Sequence, residues 1–81
     1  MSYKVYILEC ADGTLYTGIT TDLERRFAEH KNKKGGVYTS AHGAKKIIHS
    51  EDLPTRSAAL KREAGIKDLS RKQKLELIKN G

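Results

Sequence analysis

The chain of 81 residues is long enough for one small domain, residues 1–81, and its 37% hydrophobic content allows a single modest core. No apolar run approaches the ~20 residues of a transmembrane helix. Cys10 is the only cysteine, which excludes internal disulfides and cysteine-built zinc sites and fits a reducing, cytoplasmic setting. Sixteen Lys and Arg against ten Asp and Glu leave a net charge of +6, which indicates either a polyanionic partner or a solvated surface that happens to be basic. A membrane is less favoured, because no segment pairs a basic face with a strongly apolar one.

The chain begins with a predicted β-hairpin. Residues 3–10 are β-branched, aromatic and aliphatic with few interruptions, which is typical of a strand covered on both faces. Gly13 in the following ADGT segment can adopt the positive φ that a tight turn needs, and residues 14–19 form the return strand.

The length of the hairpin loop decides whether two tyrosines share a face. A two-residue loop, 12–13, places Tyr6 and Tyr16 on opposite faces of the sheet. A three-residue loop, 11–13, pairs Tyr6 with Gly18 and puts both tyrosines on one face, because strand side chains alternate. Ala-Asp-Gly suits a type I turn closed by a left-handed glycine, so the three-residue loop is the prediction. Gly18 then leaves a hollow beside the rings, as expected where a ligand or backbone approaches closely.

The remaining elements complete a small α+β domain. Two pairs, Thr21 with Glu24 and Ser70 with Gln73, have the spacing of helix capping boxes. The order β-β-α-β-α-α predicts a small antiparallel three-stranded sheet flanked by helices. The predicted segments after the hairpin are a helix over 22–31, a long loop over 31–44, a strand over 45–51, a helix from Pro54–Thr55 to about Asp68, and a basic helix from Ser70 to the end.

The first helix carries an arginine and a histidine in unusual positions. Counted from Leu23 at ~100° per residue, Arg26 and His30 lie one turn apart at the border of the apolar stripe, where they would line a concave site. The alternative is an arginine whose stem packs on the surface and a core histidine bonded to backbone. His42 is expected to be exposed to solvent, and His49 to lie at the surface or at a strand end.

The second helix places a carboxylate in the middle of its apolar face. Glu63 projects on the same side as Ala59 and Ile66. An unpaired buried carboxylate is costly, so Glu63 must be paired, protonated or bound to a cation. Lys67, one turn on, offers an i,i+4 salt bridge, and a metal ligand is the competing interpretation.

Together these residues resemble the GIY-YIG nuclease superfamily. The segments VYILECADGTLYTGIT and RRFAEH, followed by a lone glutamate on a later helix, are similar to the family pattern. Its two named motifs correspond to the segments 4–6 and 16–18. The resemblance covers nearly the whole chain and is greatest to small stand-alone bacterial members, which are predicted endonucleases. The GGVYT segment is also similar to the structure-specific branch that cuts branched DNA.

The chain departs from the family pattern at a few positions. Lys4 and Val5 replace the glycine and isoleucine of the first motif, and Ile19 stands where some relatives use a lysine. The stretch SRKQKLELIK lacks the asparagine that many catalytic members carry downstream of the glutamate.

The resemblance implies a metal-dependent endonuclease that hydrolyses DNA phosphodiester bonds with Mg²⁺ or Mn²⁺. By that resemblance the catalytic residues are two tyrosines, an arginine that stabilises the phosphate, a helix histidine and a metal-binding glutamate: Tyr6, Tyr16, Arg26, His30 and Glu63. Gly18 and the basic loop are expected to contact the substrate, through Lys31, Lys33, Lys34, Tyr38 and Thr39. The expected partner is DNA, branched or flapped by the same resemblance, with a role in DNA repair. The alternatives are a non-catalytic nucleic-acid-binding module and a nuclease subunit whose protein partner supplies substrate recognition.

Overall fold

The computed structural model describes residues 2–32 and 42–80. Within them the order is β-β-α-β-α-α, which confirms the predicted α+β architecture. The third strand is longer than the predicted 45–51. The elements are β1 (Tyr3–Cys10), β2 (Leu15–Thr20), α1 (Leu23–Lys31), β3 (Ala44–Leu53), α2 (Arg56–Lys67) and α3 (Arg71–Asn80).

The three strands form one antiparallel sheet in which β1 lies between β2 and β3. Because side chains alternate along a strand, Val5 and Ile7 turn to one face of β1 while Tyr6 and Leu8 turn to the other. All four are at most 1% exposed. The prediction of a strand covered on both faces is therefore confirmed.

The hairpin between β1 and β2 has the predicted three-residue loop. Tyr6 pairs with Gly18, and the Cys10 amide donates to the Thr14 carbonyl over 2.8 Å. Gly13 has a φ of 87°, in the left-handed region that glycine enters at no steric cost. Tyr6 and Tyr16 consequently project from the same face of the sheet.

The N-terminus of α1 differs from the predicted capping box. Asp22, not Thr21, is the N-cap: its backbone is extended, and its carboxylate accepts a hydrogen bond from the Arg25 amide over 3.1 Å. The Thr20 hydroxyl in turn accepts from the Asp22 amide over 3.1 Å. A carboxylate is a favoured N-cap because it accepts a backbone hydrogen bond at the positive end of the helix dipole.

The other two helices begin as the sequence indicates. The Thr55 hydroxyl caps α2 by accepting from the Ala58 amide over 3.1 Å. Ser70 and Gln73 form a reciprocal capping box at the start of α3, with distances of 2.9 and 3.2 Å.

The helices cover both faces of the sheet. Ala59 and Ile66 of α2 pack with Val5 and Ile7 into the core, and α3 adds Leu77 and Ile78 beside them. On the opposite face, α1 buries His30 on the side of Tyr6. No helix in the described ranges is long and apolar enough to cross a membrane.

Candidate functional site

Three rings from three elements meet on the α1 face of the sheet. Tyr6 of β1, Tyr16 of β2 and His30 of α1 have ring centroids 5.4 to 6.3 Å apart. The hairpin register brings the tyrosines together, and the position of His30 on the inner side of α1 adds the imidazole. The structure therefore joins residues that the sequence separates by up to 24 positions.

Gly18 makes the approach of the two tyrosines possible. A Cβ atom at this position would lie 2.7 Å from the Tyr6 hydroxyl oxygen and 3.0 Å from the Tyr16 ring, and the first distance is closer than a real Cβ tolerates. The hollow predicted beside the rings is thus filled by the Tyr6 phenol itself. Gly18 shapes the site by its missing side chain.

A buried hydrogen bond joins Tyr6 and His30, whose oxygen and Nε2 atoms are 2.8 Å apart. Both residues are 1% exposed. Burial, and then the charge of Arg26, lower the pKa of His30 below its usual value, so the imidazole is neutral at pH 7. Burial raises the pKa of Tyr6 to about 12, so its hydroxyl keeps its proton. A neutral imidazole whose Nε2 carries a lone pair accepts that proton as a hydrogen bond.

Arg26 completes the polar side of this cluster. Its guanidinium donates a hydrogen bond to the carboxylate of Glu29 over 3.1 Å and lies close enough to Tyr6 to lower the pKa of the phenol. In this way Arg26 opposes the effect of burial on the Tyr6 pKa. The half-buried guanidinium keeps a cation beside the phenol, where an anionic phosphate would be attracted.

Glu63 lies on α2, between the core residues Ala59 and Ile66 along the helix. Its side chain is 19% exposed, and its Oε2 atom is 3.5 Å from the Lys67 ammonium nitrogen. The salt bridge weighed from the sequence is therefore present. The Glu63 charge also contributes to raising the Tyr6 pKa, which places the carboxylate within electrostatic reach of the ring cluster.

The oxygen atoms that Glu63 offers fit a magnesium-like cation that is held by one carboxylate. Such ions prefer oxygen ligands, keep several waters and are commonly held by one or two carboxylates together with substrate phosphates. Glu63 is a half-buried carboxylate of this kind. No group of three or more His, Cys, Asp or Glu residues suited to a metal occurs in residues 2–32 and 42–80. A closed, all-protein metal cage is thus not formed by this part of the chain.

The structure brings together five of the residues predicted from the sequence: Tyr6, Tyr16, Gly18, Arg26 and His30. Lys31 lies at the end of α1, with its ammonium 6.0 Å from the centroid of the Phe27 ring. Four further predicted substrate contacts lie outside the described residues: Lys33, Lys34, Tyr38 and Thr39.

One of the two remaining histidine predictions is corrected: 35% of the His42 side chain is exposed, in keeping with the expectation, whereas His49 is nearly buried. His42 pairs with the Asp12 carboxylate, and this hydrogen bond is the main cause that lowers the Asp12 pKa to about 2. His49 is a β3 residue with a side chain 7% exposed, and it bonds Glu51 over 2.7 Å. The His42–Asp12 pair joins residues 30 positions apart, which periodicity does not show, whereas His49 and Glu51 lie two residues apart on one strand, so the alternation of side chains was a usable signal for them.

One partner near the rings also went unpredicted. Glu29 bonds Arg26 across three residues of α1. The i,i+3 spacing of opposite charges was a usable signal for it.

Comparison with known proteins gives one family. A family model for the GIY-YIG catalytic domain matches residues 2–76. A UPF0213 protein of Natronomonas pharaonis is 49% identical over 76 residues, which cover 94% of this chain and 89% of the relative. A UPF0213 protein of Staphylococcus saprophyticus is 44% identical over 79 residues, covering 98% and 96%.

Two solved structures share the fold. The solution NMR structure of a UPF0213 protein from Bacillus halodurans is 40% identical with a TM-score of 0.62, and covers 98% of this chain and 84% of its own. The solution NMR structure of an E. faecalis protein is 44% identical with a TM-score of 0.67, covering 99% and 85%.

Proposed function

This chain belongs to the GIY-YIG family, and from that premise we propose that it is a metal-dependent endonuclease that hydrolyses DNA phosphodiester bonds. One observation carries the proposal: the buried hydrogen bond between Tyr6 and neutral His30, with Arg26 beside it. The site thus places a proton acceptor beside a cation that attracts anions, and groups of these two kinds accelerate phosphodiester hydrolysis.

Tyr6 acts as a proton relay and not as a free phenolate. With a pKa of about 12, its hydroxyl is almost entirely protonated at neutral pH. As the attacking water bonds to phosphorus, its proton moves to the Tyr6 oxygen while the Tyr6 proton moves to Nε2 of His30. His30 can accept it because burial and Arg26 keep the imidazole neutral. Tyr16 orients the water.

Arg26 and Glu63 serve the phosphate. The Arg26 guanidinium stabilises charge on the phosphate oxygens as the new bond forms and the P–O ester bond breaks. Glu63 would hold the Mg²⁺ or Mn²⁺ ion. When bound, such an ion polarises the phosphodiester and stabilises the departing oxygen.

The proposed contact with DNA is supported by the positive charge of the protein. A net charge of +6 favours contact with DNA phosphates, and Lys31 lies on the same helix as Arg26. The further proposed substrate contacts are Gly18 and four residues that follow Lys31 in the sequence: Lys33, Lys34, Tyr38 and Thr39. Branched or flapped DNA, a role in repair and a cytoplasmic setting belong to the same proposal.

Two alternatives keep the fold and change the activity. The segment SRKQKLELIK, residues 70–79, lacks the asparagine that many catalytic members carry downstream of the glutamate, which favours a non-catalytic nucleic-acid-binding module. The second alternative is a nuclease subunit whose protein partner supplies substrate recognition.

The decisive experiment is cleavage of linear, flapped and branched DNAs with Mg²⁺, Mn²⁺ or chelator. Cleavage that chelator abolishes and that His30→Gln reduces supports the proposal. Salt-sensitive DNA binding with no cleavage of any substrate would select the binding module. Cleavage that persists in chelator would overturn the role of the metal.

A further inference from the structure

The fully buried residues of helix α2, Ala59 and Ile66, form a narrow strip along the helix, and one of them is a small alanine. Two fully buried side chains along one line resist translation of the helix better than they resist rotation about its own axis. Contacts on either side of that strip therefore decide which way the rest of α2 faces.

Arg62 supplies an attachment on one side of that strip. Its Nε and Nη2 atoms donate to the two carboxylate oxygens of Glu51 on β3, over 2.7 and 2.9 Å. The Arg62 hydrogen bond is the main cause that lowers the Glu51 pKa to about 2, so the pair is ionised at neutral pH. His49, nearly buried on the same strand, bonds the Glu51 Oε2 atom over 2.7 Å and fixes its orientation.

Glu63 lies on the other side of the strip. With ~100° per residue, Arg62 and Glu63 project to either side of the line through Ala59 and Ile66. Rolling a helix by ~20° displaces an atom ~6 Å from its axis by about 2 Å. A displacement of that size separates a metal ligand from the phosphate it must serve.

We infer that the Arg62–Glu51–His49 network positions Glu63 for its cation by fixing the rotation of α2. Arg62 is a positioning residue, because it contacts neither the cation nor the substrate. The inference rests on the proposed function, since it takes Glu63 as the metal ligand. A bidentate arginine is suited to this task, since a planar fork bound at two atoms fixes direction as well as distance.

Arg62→Lys tests the geometry while keeping the charge. A lysine can still pair with Glu51, but through a single rotatable ammonium. Backbone amide NMR signals around Glu63 are followed as Mn²⁺ is added without DNA, because the ion broadens nearby signals. We expect the Mn²⁺ concentration for half-maximal broadening to rise by about 10- to 100-fold, the usual effect of losing a group that orients a metal ligand.

Two further variants complete the test. Glu51→Gln removes the negative charge and one of the two acceptor oxygens that Arg62 binds, and should raise the Mn²⁺ midpoint in the same way. Asp52→Asn is the matched control: it makes the same change one residue along β3, at a carboxylate that pairs with Lys4 over 2.6 Å. Its Mn²⁺ midpoint should equal that of the wild type. In cleavage assays, Arg62→Lys should shift the metal requirement in parallel and recover most of kcat at saturating Mn²⁺.

The outcomes separate the inference from the function beneath it. If wild-type signals broaden around Glu63 and Arg62→Lys has the same Mn²⁺ midpoint, the positioning role is overturned and the proposed nuclease stands. If the wild type broadens no more than Glu63→Gln, Glu63 holds no metal, and the proposed metal site and the positioning role both fall.

Discussion

The Tyr6 hydroxyl oxygen lies 2.8 Å from Nε2 of His30, in a contact closed to solvent on the α1 face of the sheet. Burial raises the pKa of the phenol and lowers that of the imidazole, so each group is neutral and the proton lies between two neutral partners. The pH dependence of the protein should follow from this pair.

The stability of the fold should fall as acid protonates His30. Its folded-state pKa is depressed, so below about pH 6.5, its ordinary value, the unfolded chain binds more protons than the folded one. The free energy of unfolding should therefore rise with pH through this window. The contribution of His30 to it is lost as the pH falls through the folded-state pKa of the imidazole. Urea titrations of wild type and His30→Gln measure this free energy of unfolding. They are run between about pH 5 and pH 8, on either side of the ordinary histidine pKa.

Two carboxylates that form ion pairs do not titrate in this pH range. Asp12 and Glu51 have pKa values of about 2, so their contribution is lost at more acidic pH. His30→Gln should flatten the pH dependence of the unfolding free energy near about pH 6, close to the ordinary histidine pKa, and should leave the dependence at more acidic pH unchanged. An equally steep slope in the variant would show that His30 is not the titrating group.

Gly18→Ala should disturb the site by steric contact. The added methyl would lie 2.7 Å from the Tyr6 oxygen and 2.9 Å from its Cζ atom, and the buried ring has little room to move. We expect a decrease of about 1–3 kcal/mol in unfolding free energy, as for other overpacked sites, and a large decrease in cleavage. Thermal and urea unfolding measure the first.

Gly65→Ala is the matched control for that substitution. A Cβ atom at Gly65 meets no heavy atom within 4 Å, and the residue lies inside α2. The change should therefore stabilise the protein by up to about 1 kcal/mol through helix propensity. Destabilisation of similar size in both variants would remove the argument from close packing.

Glu63→Gln should separate folding from metal binding. The amide keeps size and helix propensity but loses the charge that holds a cation, and the exposed Lys67 pair contributes at most about 1 kcal/mol. Folding should survive, Mn²⁺ should no longer raise the melting temperature, and cleavage should fall by orders of magnitude. DNA binding through the basic surface should persist.

Lys67→Gln is the companion to that experiment. If Glu63 serves only as the salt-bridge partner of Lys67, the two variants should behave alike in melts and both should cleave DNA. Wild-type cleavage by Glu63→Gln would remove the catalytic assignment.

Thr17→Val should stabilise the protein. The Thr17 side chain is buried in β2, and its hydroxyl has no hydrogen-bond partner in the described part of the chain. Valine has nearly the same shape and buries no polar atom, so the unfolding free energy should rise by roughly 1 kcal/mol or more. Denaturant unfolding measures the change; a decrease in stability would indicate that the hydroxyl is bonded in solution.

DNA affinity should depend on the basic loop without reading sequence. Replacing Lys31, Lys33 and Lys34 with alanine should weaken binding to all sequences alike, because phosphate contacts position a protein without specifying bases. The slope of log affinity against log salt should flatten by up to about 0.9 for each phosphate that no longer meets a lysine. An unchanged slope would show that these lysines do not bind phosphate.

The local order of this fold could be predicted from the sequence. Strand and helix positions follow from periodicity, and the Ala-Asp-Gly loop decided the register that pairs Tyr6 with Gly18. These features depend on neighbouring residues, for which backbone preference is a sufficient guide. The N-cap of α1 was placed one residue early, because Thr21 and Asp22 are both good caps and only the backbone conformation selects between them.

Tertiary structure decided the chemistry of the candidate site. Arg26 and His30 are identified at the edge of an apolar stripe, but the neutral state of His30 depends on its burial, which a helical projection does not measure. The Glu51–Arg62 pair joins a strand to a helix 11 residues later, and only the packing of α2 on the sheet brings the two charges together. Desolvation and long-range pairing arise from the arrangement of whole elements, and for that reason they appear only when the chain is folded.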